Sequence, residues 1–397
     1  MFPLSLFSIF HPPLVGLSPT QYDTAMRKLS SSSLTKLSRS LLRWYSRHKR
    51  DLPWRHTRDP YRIWVSEIML QQTQVATVIP YYERWLKTFP TLSSLARAPL
   101  SKALELWAGL GYYRRVRMFH EAVSYLQREF RGKIPGSSEG LRKLPGIGRY
   151  TAGAIASIAW GEKTPVLDGN VIRILTRIFA LAQSVDRPAT LEKLWSIAAS
   201  LLPGKNPGDL NQALMELGAT VCFPSNPQCA RCPVRKSCAA RQKGRELFYP
   251  VRSRKNRSEK LRMAALVLRN PKNEVWLEKQ PRQGRWGGLW MFPFWMHKKE
   301  MLEEFRSSGP RPVPFLTVSH AFTKYRITLE VFESLCEKKT PRKDRYGRWF
   351  PVAKLARIAF PSPHREIARA LAVRKGPLDP LFPKRGLAER KPGARLT

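Results

Sequence analysis

Four cysteines fall between positions 222 and 238 in the spacing Cys222-x6-Cys229-x2-Cys232-x5-Cys238, and a fifth, Cys336, stands apart. Thiols crowded in this way suit a metal centre better than a disulfide framework. One C-x-x-C pair with wider flanking gaps does not make two zinc knuckles. Four thiolates suit a single iron–sulfur cluster, with a zinc ion as the alternative. Arg231, Arg235 and Lys236 lie between the candidate ligands, so a metal-pinned loop would offer cations to phosphate. Cys336 reads as a small buried hydrophobe.

A second chemistry lies in residues 144–173, LPGIGRYTAGAIASIAWGEKTPVLDGNVIR. A short glycine turn with Gly146 and Gly148 leads into a small-residue helix. Free backbone N–H groups at that helix start form a phosphate site. One helix length further on come Asp168 and a new helix near Asn170. Asp168 is either an N-cap or an acidic group carried to the nucleic acid, and can be both. Another carboxylate, Glu67, lies beside the apolar stripe Trp64, Ile68, Val75, Val78 of a helix expected over residues 61–79. Burial there would raise its pKa, although capping or pairing within the bundle is the plainer reading. An acid and an anion in unlike settings can divide acid–base work between them.

The elements that must hold these groups are helical. After a break at residues 50–55, short helices recur as far as Cys222, interrupted at residues 109–115 by Gly-Leu-Gly-Tyr-Tyr-Arg-Arg. That loop suits an aromatic wedge with arginines on phosphate, or a glycine turn with tyrosines in the core. Past residue 263 the pattern changes to strands: 264–268 and 275–278 around an Asn-Pro-Lys-Asn turn, then 315–318 and 325–332, with helices at 300–305 and 363–372. The expected architecture has two domains, an all-α core with a cluster loop and a C-terminal α+β domain. In order, these are a disordered extension (1–33), the helical domain (34–239, cluster loop 222–238), a basic linker (240–262), the α+β domain (263–373) and a basic disordered tail (374–397).

Lys and Arg number 70 against 29 Asp and Glu, a formal charge of +41 over 397 residues. So basic a chain meets a polyanion, either nucleic acid or an anionic membrane. No apolar run approaches a membrane span. Residues 4–10 are short and lack a preceding basic residue, a poor secretory signal, so a cytoplasmic location is expected.

Together, Trp64-Val65-Ser66-Glu67-Ile68-Met69-Leu70-Gln71-Gln72-Thr73, the hairpin at 144–148, Val166-Leu167-Asp168-Gly169-Asn170 and the cysteine spacing resemble one family. Residues 35–373 are similar to the helix-hairpin-helix DNA glycosylases with a four-iron cluster, and among them to the adenine DNA glycosylases. The resemblance implies a monomeric enzyme that flips adenine, mispaired with 8-oxoguanine or guanine, out of duplex DNA and excises it. It implies Glu67 as the acid on adenine N7 and Asp168 as the group facing the oxocarbenium-like sugar, with Tyr150 and Asn170 positioning them. Trp54, Arg55, Leu70 and Glu216 would line the base pocket, and Gln72 and Tyr112 would fill or wedge the duplex. Cys222, Cys229, Cys232 and Cys238 would hold one 4Fe–4S cluster.

Endonuclease III-like relatives carry a lysine where Tyr150 stands, so Schiff-base chemistry and strand cutting are not expected. The C-terminal domain resembles a Nudix-like module without its hydrolase box, Glu303-Glu304 being all that remains, and no pyrophosphatase activity is expected. In the family a Phe-Ser-His loop reads 8-oxoguanine, and here it is Phe322-Thr323-Lys324. Three other readings compete: a glycosylase/lyase on oxidised pyrimidines or mismatched thymine, a catalytically silent DNA-binding scaffold, and a membrane-surface protein using the basic helix at 34–49. The last leaves the hairpin, the carboxylates and the cysteines unexplained.

Overall fold

The computed structural model describes residues 31–253, 259–281, 286–305, 311–322, 325–336, 342 and 345–374. The chain divides into two compact units at residues 256/257. The first unit is helical: α1 (Ser31–His48), α2 (Pro60–Leu70), α3 (Val75–Thr88), α4 (Leu92–Arg97), α5 (Leu100–Trp107), α6 (Arg114–Glu129), α7 (Ser138–Arg142), α8 (Arg149–Ala159), α9 (Gly169–Ile178), α10 (Pro188–Leu201), α11 (Pro207–Thr220) and α12 (Ala239–Gln242). Local chemistry sets several of the starts. Asp59 caps α2 by accepting from Tyr61 N at 2.8 Å, with Pro60 in the first turn where no N–H is missed. Thr91 and Ser94 form a reciprocal capping box on α4.

Trp64, Trp85, Trp107 and Phe119 fill the centre of the α2–α6 region edge to face, with Trp64 and Phe119 ring centroids 4.7 Å apart. A second apolar cluster joins α1 to α9, α10 and α11 through Leu41, Ile174, Leu194 and Leu214. Helix α8 touches both α2 and α11. Close approach is allowed at Gly153, where a Cβ would collide with the Pro165 carbonyl oxygen, and at Gly218, where it would meet Asn170 Cβ. Buried Asn211 staples the segment before Asp168. It donates to Ser157 Oγ and to Thr164 O, each at 2.9 Å, and accepts from Val166 N at 3.3 Å.

Three expectations change. The single helix over residues 61–79 is two, α2 and α3, parted by Gln72 in a left-handed conformation (φ 56°). The cause is distant in sequence: the Arg115 guanidinium takes the carbonyls of Ile68, Met69 and Gln71 where α2 ends. The expected linker is largely folded onto the helical unit. Ala240 and Tyr249 are buried, Val185 N donates to Val251 O at 3.0 Å, and β1 already begins at Glu259. Three isolated grips among many cations leave no apolar period to read. Helix α1 also takes in residues 31–33, part of the expected extension, whereas residues 1–30 and 375–397 lie outside the described residues.

The second unit is a sheet between two helices. Its strands are β1 (Glu259–Arg269), β2 (Glu274–Lys279), β3 (Trp290–Met291), β4 (Phe294–Trp295), β5 (Val313–Phe322), β6 (Tyr325–Leu335) and β7 (Gly347–Pro351), with α13 (Lys298–Glu304) and α14 (Ser362–Val373). The order is β3-β2-β1-β6-β5, with β4 paired to β1 and β7 to β2. Strands β1 and β6 run parallel from Glu259↔Tyr325 to Arg269↔Leu335. Along β1 the pleat sends Met263, Ala265 and Val267 to the cluster of Ile367 and Leu371 on α14. Ala264, Leu266 and Leu268 go to that of Met301 on α13, which also contains Cys336. Among the described residues no helix is long and apolar enough to cross a membrane.

Gly153→Ala should destabilise the chain by about 1–3 kcal/mol or more in denaturant titration, because the added methyl meets backbone rather than a yielding side chain. Gly169→Ala, whose Cβ would meet open space, should shift the midpoint far less.

Candidate active site

Helix α2 carries Glu67 into the interior, where it is 6% exposed, and α8 brings Tyr150 to it. The Tyr150 hydroxyl donates to Glu67 Oε2 at 2.8 Å and also lies 3.2 Å from Met215 Sδ. Burial raises the Glu67 carboxyl to about 7. The Tyr150 hydrogen bond pulls it back and the nearby Asp168 charge pushes it further up. Burial, Glu67 and Asp168 together drive the Tyr150 phenol well above its ordinary value, so it stays a donor.

Asp168 sits differently. It caps α9, accepting from Val171 N at 2.7 Å on Oδ1 and from Asn170 Nδ2 at 3.0 Å on Oδ2. Burial raises its pKa, while these donors and the Arg173 charge pull the other way. Arg173 Nη2 in turn donates to Asn170 Oδ1 at 2.8 Å and Gly218 O at 2.9 Å, and its Nε to Cys222 O at 2.8 Å. The structure therefore brings Glu67, Tyr150, Asp168 and Asn170 into one cluster. It also ties the Asp168 side through Arg173 to the start of the cysteine loop.

Glu216 sits in an ion-pair network. It is 1% exposed and saturated by Arg50 (Nε and Nη2, each 2.8 Å) and Arg55 (Nη2, 2.8 Å). Burial acts to raise its pKa, but these hydrogen bonds outweigh it and hold the carboxylate down to about 2. Trp54 and Arg55 line a polar cavity with Gln212, Asp209, Ser157 and Asn206, and neither Leu70 nor Glu216 belongs to that lining. Gln212 has no signature in the sequence. One helical turn before Glu216 on α11, a neutral amide carries no charge signal to mark it. Gln72 and Tyr112 are both exposed residues with left-handed backbone, φ 56° and 48°.

Gly146, at φ 79°, makes the hairpin turn between α7 and α8, and Gly148 is the extended residue before α8. Both are exposed. Phe322 ends β5, while its side chain and Thr323 lie outside the described residues.

Cys222, Cys229, Cys232 and Cys238 are unpaired and line a single cavity with Ile174, Arg177 and Leu217. Among the described residues no three His, Cys, Asp or Glu converge on a point that would hold one metal ion. The thiols instead surround a space. Burial pushes Cys232 up to about 12 and raises Cys229 and Cys238, a donor set that only a strongly cationic centre would ionise. Arg177 Nη1 reaches Cys222 Sγ at 3.2 Å and its backbone O accepts from Cys238 Sγ at 3.5 Å. These residues fit a thiolate-bound cluster.

Glu216→Ala would leave the buried Arg55 guanidinium without its counter-charge and free the part-exposed Arg50. Removing one partner of a buried pair costs about 3–5 kcal/mol, so the unfolding midpoint should fall sharply. Glu216→Gln should recover part of the loss.

The chain is similar to known proteins along both units. Residues 65–200 match the HhH-GPD superfamily base excision DNA repair proteins, and residues 264–370 match the NUDIX domain. It is 37% identical to the adenine DNA glycosylase of Homo sapiens over 375 residues, covering 78% of this chain and 69% of that one. It is 33% identical to the adenine DNA glycosylase of Buchnera aphidicola subsp. Schizaphis graminum, covering 83% of this chain and 97% of that one. The solved structure of a thermostable thymine-DNA glycosylase aligns with 54% of this chain and all of that one, at a TM-score of 0.50 and 27% identity. The chain belongs to the adenine DNA glycosylase family.

Proposed function

We propose that the protein hydrolyses the N-glycosidic bond of adenine mispaired with 8-oxoguanine or guanine in duplex DNA and leaves an abasic site. The observation that carries this is the pairing of a carboxyl raised to about 7, Glu67, with a hydrogen-bonded helix-cap carboxylate, Asp168, across Tyr150. Near neutral pH Glu67 is in large part protonated. It gives its proton to adenine N7 as the C1′–N9 bond breaks, and the electron pair of that bond leaves with the base. Positive charge develops on the sugar, and the Asp168 carboxylate stabilises it directly or as a transient ester. Water then adds to C1′, its proton passing to the Glu67 carboxylate, which restores the starting state. Asn170 and Tyr150 hold the two carboxyl groups in register. Trp54 and Arg55 approach the base from the cavity they line and Leu70 from outside that lining, with Glu216 behind as the counter-charge of Arg55.

Tyr150 is a phenol kept neutral by its surroundings. No amine stands there to form a Schiff base, which favours base removal without strand cleavage over the endonuclease III-like reading. Hairpin N–H groups at Gly146 and Gly148 hold phosphate, and Gln72 and Tyr112 enter the duplex. Phe322 and Thr323 belong to the lesion-reading loop of the second unit. Cys222, Cys229, Cys232 and Cys238 hold one 4Fe–4S cluster, which supplies structural cross-linking of the loop when bound.

Glu67→Gln and Asp168→Asn should each lower single-turnover base release by at least about 10²–10⁴-fold, while mismatch binding in a gel shift survives. Because the active form of Glu67 is protonated and its pKa is raised to about 7, wild-type rates should fall as pH rises above that value. Tyr150→Phe removes the hydrogen bond that lowers this pKa, so the falling limb should move to higher pH. Full activity in either carboxylate variant would refute the assignment. Iron and acid-labile sulfide determined on the purified chain should give about four of each per protein, and replacing Cys232 by Ser should abolish that content.

A further inference from the structure

One guanidinium outside the reacting cluster ties two loops together. Arg115 is the second residue of α6 and is partly buried. Its Nη1 donates to Ile68 O at 2.7 Å, Met69 O at 3.1 Å and Gln71 O at 2.5 Å. Its Nη2 donates to Gly111 O at 3.2 Å, Leu110 O at 3.3 Å and Thr73 Oγ1 at 3.4 Å. The same group stacks over Trp107 and Tyr112, 5.3 and 5.4 Å from the ring centroids. Its Nε is buried with no partner. Burial lowers its pKa to about 10, so it remains a cation at neutral pH.

The partners form a pattern. Ile68, Met69 and Gln71 are at the C-terminal end of α2, where carbonyls have no intrahelical partner and a cation is favoured. Leu110 and Gly111 belong to the glycine turn before α6. The peptide bonds 71–72 and 111–112 each precede a non-glycine residue in left-handed conformation, Gln72 and Tyr112. Such backbone persists only where its surroundings over-determine it. Both side chains it sets are exposed. A planar guanidinium with five donors can bridge two loops in this way, and an ammonium point charge cannot.

We propose that Arg115 is a positioning residue that holds Gln72 and Tyr112 as one two-pronged wedge, so that unstacking of the target adenine depends on it. The proposal rests on the adenine-excision reading above. Side chains inserted between base steps must hold the duplex open against stacking, and two loops free to move separately would yield to it. Arg115 does not touch the base or the sugar in this role. It fixes the backbone from which the prongs project.

The test uses the full chain as isolated and a duplex with adenine opposite 8-oxoguanine, 2-aminopurine standing beside the adenine. Its fluorescence reports unstacking, and quenched-flow under saturating enzyme reports base release. Arg115→Met should lose at least ten-fold in both signals, while the pH at which the rate falls stays where it is in the wild type. In a Gln72→Ala/Tyr112→Ala background the same replacement should cost less than three-fold, because no wedge remains to hold. Arg115→Lys, which keeps the charge but cannot bridge both loops, should follow Arg115→Met and replaces it if that variant does not fold. Two results overturn the proposal: an undiminished loss in the double-alanine background, or a full fluorescence signal with a displaced pH limb, which would place Arg115 on Glu67 instead. If the wild type unstacks the site but releases no adenine, the excision reading fails while the wedge remains tested.

Discussion

The site depends on a carboxyl that water hardly reaches. Glu67 is embedded in a helix whose neighbours Val65, Ile68 and Met69 are all buried, and among the described residues its hydrogen-bond partner is the Tyr150 hydroxyl alone. A carboxylate so placed would lose its hydration and gain one hydrogen bond, too little to hold the charge, so the proton stays on to neutral pH. Burial raises Asp168 as well, but there more groups oppose the rise. A helix N-terminus, an amide from Asn170 and the Arg173 charge all favour its ionised form. Two like side chains thus acquire different work from their settings, as acid–base catalysis at one pH requires.

That difference survives only if the parts are held rigidly, and the supports are specific. Gly153 lets α8 close onto the Pro165 backbone, and Asn211 satisfies both sides of that strand-like segment, so Asp168 enters α9 from a fixed direction. On the far side, Gly218 lets α11 press against Asn170, and Arg173 links Asn170 to the carbonyl of Cys222. The cysteine loop is therefore continuous through hydrogen bonds with Asp168, the carboxylate proposed to face the sugar. Arg177, which contacts Cys222 Sγ and the carbonyls of Phe223, Pro224 and Tyr249, gives the same loop a buried anchor.

Local signals in the chain were readable where chemistry and sequence coincide. The glycine turn at 146–148, the cap at Asp168, the cysteine spacing, the strand turn at residues 270–273 and the burial of Glu67 all follow from residue type and period, and the structure contains each of them. What could not be read is what arises from distant partners. The break at Gln72 depends on Arg115, more than forty positions away. The family resemblance puts Glu216 at the base pocket, and nothing in its helical position announces an ion pair. Its capture by Arg50 and Arg55 is visible only once α11 has packed against the N-terminal segment. Gln212 was silent because a neutral amide is common on any helix. The folded part of the basic stretch after residue 239 was hidden by its charge, since one buried tyrosine among many cations makes no pattern.

The central point is the protonation state of one side chain, and it can be seen directly. Carboxyl carbon resonances of isotopically labelled glutamate, followed against pH and assigned by the loss of one signal in Glu67→Gln, would report it without any substrate. A titration centred near 7, shifted upward when Tyr150 is replaced by phenylalanine, is the expected result. A midpoint at the ordinary glutamate value of about 4.3 would mean that Glu67 is already ionised under working conditions. The acid role assigned to it would then be wrong.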